Sequence, residues 1–135
     1  MDKIKILGFA GSLRKGSFNR ALLRVALEAA PENVEIDTFD IAPIPLFNED
    51  VRLQGVPVPV AFMGSGGGLG TARAQYHLRQ VAVFTEMLPL NKPEVFVPRA
   101  WEKFDAEGNL LDPKIKEKVR GLLEALAVWT IRLKK

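Results

Sequence analysis

The sequence predicts an α/β fold, a parallel sheet layered with helices, in one domain spanning residues 1–135. Three observations carry that reading. An apolar run of strand length, Ile4, Ile6, Leu7, Phe9 and Ala10, turns through a polar loop into a helical pattern. A second short strand follows that helix directly, with Val34, Ile36 and Phe39 alternating with Glu35 and Asp37. The chain then closes on apolar residues recurring at four and three, Ile115, Val119, Leu122, Leu126 and Trp129. Strand, turn, helix, strand is the opening half of a parallel sheet, whose crossover is almost always right-handed.

Each element has its own signal. The first helix is expected over 17–30, with Ser17 as N-cap and Pro31 closing it. Its apolar face is Phe18, Leu22, Val25, Ala26 and Ala29. The second strand carries polar residues on alternate positions, as an edge strand does. A proline-rich stretch, IAPIPLFNEDVRLQGVPVP, then has no helical period, and its prolines keep it extended or turned. A strand is expected over 58–63 and a helix from about 69–71 to 86, with Ala72, Tyr76, Leu78 or Arg79, Val83 and Phe84 facing inward. Residues 92–97 supply the last strand. Residues 100–111 read as an irregular hairpin turning at Glu107, Gly108 and Asn109. Asp112 then caps the final helix, with Pro113 at its first position.

Composition excludes several function classes. The chain is 47% apolar and 26% charged, as ordinary globular domains are, and no apolar run approaches a membrane span. With no cysteine there is no disulfide framework, thiolate metal site or cysteine nucleophile. No metal site is expected. The net charge of +3 is mild, and aromatic residues do not interleave with basic ones as a base-stacking platform requires, which argues against nucleic acid. The start of the chain lacks the layout of a signal peptide, so a cytoplasmic location is expected.

The turn after the first strand carries the chemistry. Unpaired N–H groups and the positive end of the helix dipole point into it, as at a phosphate site. Ser12, Ser17 and Asn19 add side-chain donors, and Arg14 adds a charged fork. The plain alternative is a strand-to-helix turn that uses Gly, Ser and Asn for backbone geometry alone. Gly11 and Gly16 have the spacing of a P-loop, but Ser17-Phe18 stands where Lys-Ser/Thr would neutralise a triphosphate. A second glycine-rich turn, Gly64-Ser65-Gly66-Gly67-Gly68-Leu69-Gly70, ends a strand at its carboxyl side, where open α/β sheets bind ligands. It reads equally well as a ligand-free loop. His77 reads as a surface or packing residue, and Lys114, Lys116, Glu117 and Lys118 as a solvated helix face.

GSLRKGSFN at 11–19, DIAPIPLFNEDV at 40–51, and ARAQYHLRQVAVF followed by NKPEVFV at 72–97 resemble the NAD(P)H-dependent FMN reductases, which include quinone, chromate and azo-dye reductases. The resemblance implies a flavodoxin-like three-layer sandwich and an enzyme that passes electrons from NADH or NADPH through FMN to a small-molecule acceptor. That acceptor would be a quinone, free flavin, azo compound or metal oxyanion. It implies Ser12, Arg14, Ser17, Phe18 and Asn19 at the FMN phosphate, and Ser65, Gly66 and Gly67 at the flavin ring. No catalytic side chain is expected, since hydride transfer to flavin needs no protein acid. A homodimer or homotetramer is implied, with Arg73, Tyr76 and Glu94 at its interface.

One departure from the family stands out. Members carry a helix, the central third strand, a PEYN-type loop and another helix between two blocks that here adjoin near 56–58. Four strands are legible, against the five of a flavodoxin-like sheet. The chain has either lost that segment or carries residues missing from the sequence as written. The second is favoured, because a lost central strand would leave two interior edges unpaired. If the segment is lost, the alternative function is a non-catalytic or partner-binding α/β domain. A third reading is a mononucleotide module for another phosphate ligand.

Overall fold

A computed structural model describes residues 3–12, 14–41, 58–85 and 87–133. The first unit is as the sequence leads one to expect. Strand β1 (Ile4–Gly8) pairs in parallel with β2 (Val34–Thr38), in register from Ile4 beside Val34 to Gly8 beside Thr38. Helix α1 (Phe18–Glu28) joins them, and Ala21, Leu22, Val25 and Ala26 are its buried face. Gly8 lets that helix close on the strand: a Cβ there would lie 2.9 Å from Leu23 Cδ1 and 3.2 Å from Ile36 Cγ2. Phe39 falls beyond β2 and is exposed.

The second unit differs in detail. The single strand expected over 58–63 is two short pieces, β3 (Pro59–Val60) and β4 (Met63–Ser65). They pair in parallel with β5 (Leu88–Pro89) and β6 (Val95–Val97) respectively. Pro59, Pro89 and Pro93 have no N–H to give a ladder, which keeps each paired stretch short.

Helix α2 (Ala72–Phe84) corrects the expected inward face. Tyr76, Leu78, Val83 and Phe84 are exposed, while Gln75 and Ala82 are buried, with Ala72 and Arg79 half-buried on the same stripe. Hydrophobicity was the wrong guide there, because Gln75 and Arg79 bond backbone carbonyls of the sheet. Gln75 Nε2 donates to Val95 O at 3.1 Å and Arg79 Nη2 to Leu90 O at 3.0 Å. The Arg79 guanidinium also lies over the Phe62 ring.

The 100–111 excursion opens with a short 3-10 turn (Ala100–Glu102) and closes with an antiparallel bridge between Phe104 and Leu110. Gly108, at φ +82°, makes the turn between them. Helix α3 (Pro113–Leu133) begins as expected, with Asp112 Oδ1 accepting the Lys114 N–H at 3.0 Å. Ile115, Val119, Leu122 and Leu126 are buried; Trp129 is half-buried and donates its Nε1–H to Leu88 O.

The main core joins α1, β6, Ala100, Phe104 and α3, with Ile6, Ile36 and Met63 packed against it. Ala82 of α2 is buried outside that cluster, so α2 covers the other side of the β4–β6 pair. Among the described residues the strands form three separate pairs, and β1 is bonded only to β2. On β1, Ile6 packs against the core and Ile4 is half-buried, whereas Leu7 is 61% exposed; Phe9, just beyond the strand, is 59% exposed. A parallel strand is normally covered on both faces. The expected junction at 56–58 and the proline-rich stretch at 42–57 lie outside the described residues, apart from Val58.

Candidate phosphate and flavin site

The turn between β1 and α1 is built around Ser17. Its N–H donates to Arg14 O at 3.2 Å, and its hydroxyl, at an extended backbone position, accepts the Arg20 N–H at 3.4 Å. Ser17 is therefore the N-cap that its sequence position predicts, and it is buried. The N–H groups of Phe18 and Asn19 have no intrahelical acceptor, because they belong to the first turn. No acidic residue in that turn neutralises the positive end of the helix.

Around it, Ser12 is half-buried and Arg14 is exposed, with no ion pair from its guanidinium among the described residues. Phe18 is half-buried, its ring packed on Phe104 with centroids 5.8 Å apart, so its side chain serves the core. Its backbone N–H, in the first turn of α1, is what remains for a ligand.

Asn19 does more than its sequence position suggests. Its Oδ1 accepts the Ser65 N–H at 2.8 Å and the Ser65 hydroxyl at 3.3 Å. A backbone N–H can only donate, so the amide orientation is fixed, and Nδ2 is the group left to donate outward. Two turns predicted separately are thereby joined, the start of α1 and the glycine turn after β4.

That glycine turn is itself fastened to the turn after β6. Gly66 N–H donates to Val97 O at 3.1 Å, Ala100 N–H to Gly66 O at 3.0 Å, and Arg99 N–H to Gly67 O at 3.0 Å. Gly70 has φ +53°, and a Cβ there would fall 2.7 Å from Val97 and Pro98 backbone atoms. By contrast, a Cβ on Gly67 or Gly68 would meet nothing within 4 Å, leaving that side open to an approaching planar group. Two residues with side chains also adopt positive φ here, Thr71 at 70° and Arg99 at 49°. Sequence reasoning missed both; only the neighbouring glycines hinted at Thr71, and no pattern marks Arg99.

The residues expected at an interface lie on α2 and just before β6. Tyr76 is exposed and meets Phe96 edge-on at 6.0 Å, Arg73 is exposed, and Glu94 pairs with Lys92 at 2.6 Å. His77 is exposed on the same helix. A groove of about 430 Å³ beside Leu90, Val128, Trp129 and Arg132 includes none of the candidate site residues.

Residues 4–58 match the family model described as NADPH-dependent FMN reductase. The chain is 38% identical to an NAD(P)H-dependent FMN reductase of Pseudomonas aeruginosa, with 98% of each chain covered. It is 32% identical to an NAD(P)H:quinone oxidoreductase of Solanum tuberosum, covering 97% of this chain and 95% of that one. Among solved structures it resembles FerB, a flavoenzyme NAD(P)H:(acceptor) oxidoreductase from Paracoccus denitrificans, with a TM-score of 0.75 at 19% identity. That alignment covers 95% of this chain and 97% of FerB, and the shared fold is flavodoxin-like. The alignment to the Pseudomonas relative runs over 182 positions, so with 135 residues this chain leaves at least 47 of them unfilled.

Proposed function

The chain belongs to the NADPH-dependent FMN reductase family, and from that premise we propose that the start of α1 and the glycine turn after β4 together hold FMN. It is an oxidoreductase that uses NAD(P)H. When bound, FMN supplies the two-electron chemistry between a nicotinamide donor and an acceptor. Everything else falls to this chain's own residues.

The donor set fits a phosphate monoester. The Phe18 and Asn19 N–H groups, Ser12, Ser17 and the Arg14 fork offer neutral and charged donors beside a helix end without acidic residues. Asn19 fits from the other direction, as a bridge that sets the distance between the phosphate turn and Ser65. The open side of Gly67 and Gly68 gives a flat ring a close approach to backbone. The Asn19–Ser65 bond carries the reading, since a turn serving only chain reversal has no need to be tied to a second ligand-type turn.

The relatives' names point to a quinone or a related small acceptor. Arg73, Tyr76 and Glu94 are proposed at a contact between copies of the chain, as a homodimer or homotetramer. A cytoplasmic location is proposed from the dependence on a nicotinamide nucleotide; among the described residues no helix is long and apolar enough to cross a membrane. The chain is proposed to be a single domain shortened internally relative to its relatives.

One observation favours a second reading, a non-catalytic or partner-binding domain. Among the described residues the β1–β2 pair and the β4–β6 pair are not hydrogen-bonded to each other as one sheet, and the relatives' unfilled positions are numerous enough for helix, strand and helix. Titration with FMN followed by NADPH oxidation in the presence of a quinone separates the two. Uptake of FMN with quinone-dependent NADPH consumption supports the reductase; uptake without turnover supports the second reading.

A further inference from the structure

We propose that Gln75 is a positioning residue for the flavin: its amide holds Thr71, and Thr71 shapes the glycine turn that borders the ring. This rests on the FMN reading above. Gln75 is 2% exposed and is the one polar residue buried in α2. Its Nε2 donates to Thr71 Oγ1 at 3.2 Å and to Val95 O at 3.1 Å. Its Oε1 has no hydrogen-bond partner among the described residues. A buried acceptor left unpaired works against folding, so the amide is retained for what its nitrogen does.

Thr71 shows what that is. A threonine before a helix ordinarily spends its hydroxyl on capping, but this one makes no capping bond to α2 and accepts from Gln75 instead. Its φ of 70° is a left-handed conformation that a β-branched residue avoids unless its surroundings enforce it. In that conformation Oγ1 lies directly over Gly64, and Cγ2 would touch a Cβ on Gly66 at 3.2 Å. Three of the four described residues with positive φ, Gly70, Thr71 and Arg99, gather at this one turn. Strain concentrated beside the proposed ring site is maintained by the Gln75 amide and by the bonds from Arg99 and Ala100 to Gly67 and Gly66. Gln75 thus reaches the ligand through Thr71 and touches none of it.

The test compares the wild-type chain with Gln75→Met, which keeps bulk and removes the amide, and with Thr71→Ser, which keeps the hydroxyl. Thr71→Val, which keeps shape and removes the acceptor, stands in should Gln75→Met not fold. Amide exchange is read at Gly66, Arg99 and Ala100 without ligand, and the bound-flavin absorption band and FMN affinity with it; inorganic phosphate competes as a probe of the α1 end. Gln75→Met is expected to speed exchange at those three amides about tenfold while β1–β2 amides stay unchanged. It is expected to weaken FMN about tenfold with a band moved toward that of free flavin, at unaltered phosphate competition. Thr71→Ser is expected to track the wild type. Unchanged exchange at Gly66, Arg99 and Ala100 in Gln75→Met, or equal loss of FMN and phosphate, overturns the proposal. A wild-type chain that takes up no FMN sinks the flavin reading instead, and exchange then still decides whether Gln75 shapes the turn.

Discussion

Asn19 shows at the scale of one residue how a side chain can hold a role that its local sequence does not display. Its place in the turn marks it as a phosphate donor, yet its oxygen is committed to Ser65, 46 positions later in the chain. No local pattern could reveal that bond. The two substitutions Asn19→Ala and Asn19→Asp separate its roles. Alanine leaves the buried Ser65 N–H without an acceptor, and urea unfolding is expected to show a loss of about 1–3 kcal/mol. Aspartate keeps an acceptor but sets a negative charge against the incoming phosphate. Asn19→Asp is therefore expected to hold most of the stability while FMN affinity falls at least tenfold. The N-cap role of Ser17 was legible, because a cap is a local property; the place of the Phe18 ring was not, because only Phe104 across the fold explains where it goes.

Elements were legible in proportion to how far apolar periodicity alone decides their packing. Helices α1 and α3 bury the stripes that their sequences display. Helix α2 does not, because it meets the sheet through Gln75 and Arg79 and turns Val83 and Leu78 outward. Turns resist sequence reading for a different reason, since their geometry depends on what they rest against. Gly70 is the example: its positive φ and its contact with the Val97–Pro98 backbone leave no room for a Cβ. Gly70→Ala is expected to cost about 2 kcal/mol or more in thermal or urea unfolding, the left-handed penalty of about 1–2 kcal/mol plus the displaced backbone.

The hairpin and the start of α3 each hold a carboxyl that binds its proton less readily than usual. The Asn109 N–H and side-chain amide bond Asp105, and Lys103 donates to Asp112 at 3.1 Å; these hold both carboxyls below their ordinary value of 3.8. Because the folded state binds the proton more weakly than the unfolded state, both contributions are complete above that value. They fade as pH falls below 3.8 toward the lowered values. Amide exchange at Asn109 and Lys114 is expected to accelerate in that window, ahead of β1–β2 exchange.

At the scale of the molecule, the sequence points to the flavodoxin-like class and to an interruption near its centre, and the described residues hold parallel pairs that do not join. Leu7 on β1 and Phe9 just beyond it are exposed apolar side chains, where a parallel strand is normally covered on both faces. The junction itself falls where prolines crowd the chain and periodicity has nothing to report. The α1 turn does not depend on that junction. Its Ser17 cap, its first-turn N–H groups without intrahelical acceptors and its tie to Ser65 all come from the described units.

Titration of the wild-type chain and of Arg14→Ala with FMN and with riboflavin, which lacks the phosphate, bears on that turn most directly. Two charge-assisted bonds to phosphate, each about 1.5–3 kcal/mol, set the expected preference for FMN over riboflavin at about 100-fold or more. Arg14→Ala is expected to lose at least tenfold of it with unfolding unchanged. Equal affinity for the two flavins, or no uptake of FMN at all, would contradict a phosphate grip at the start of α1.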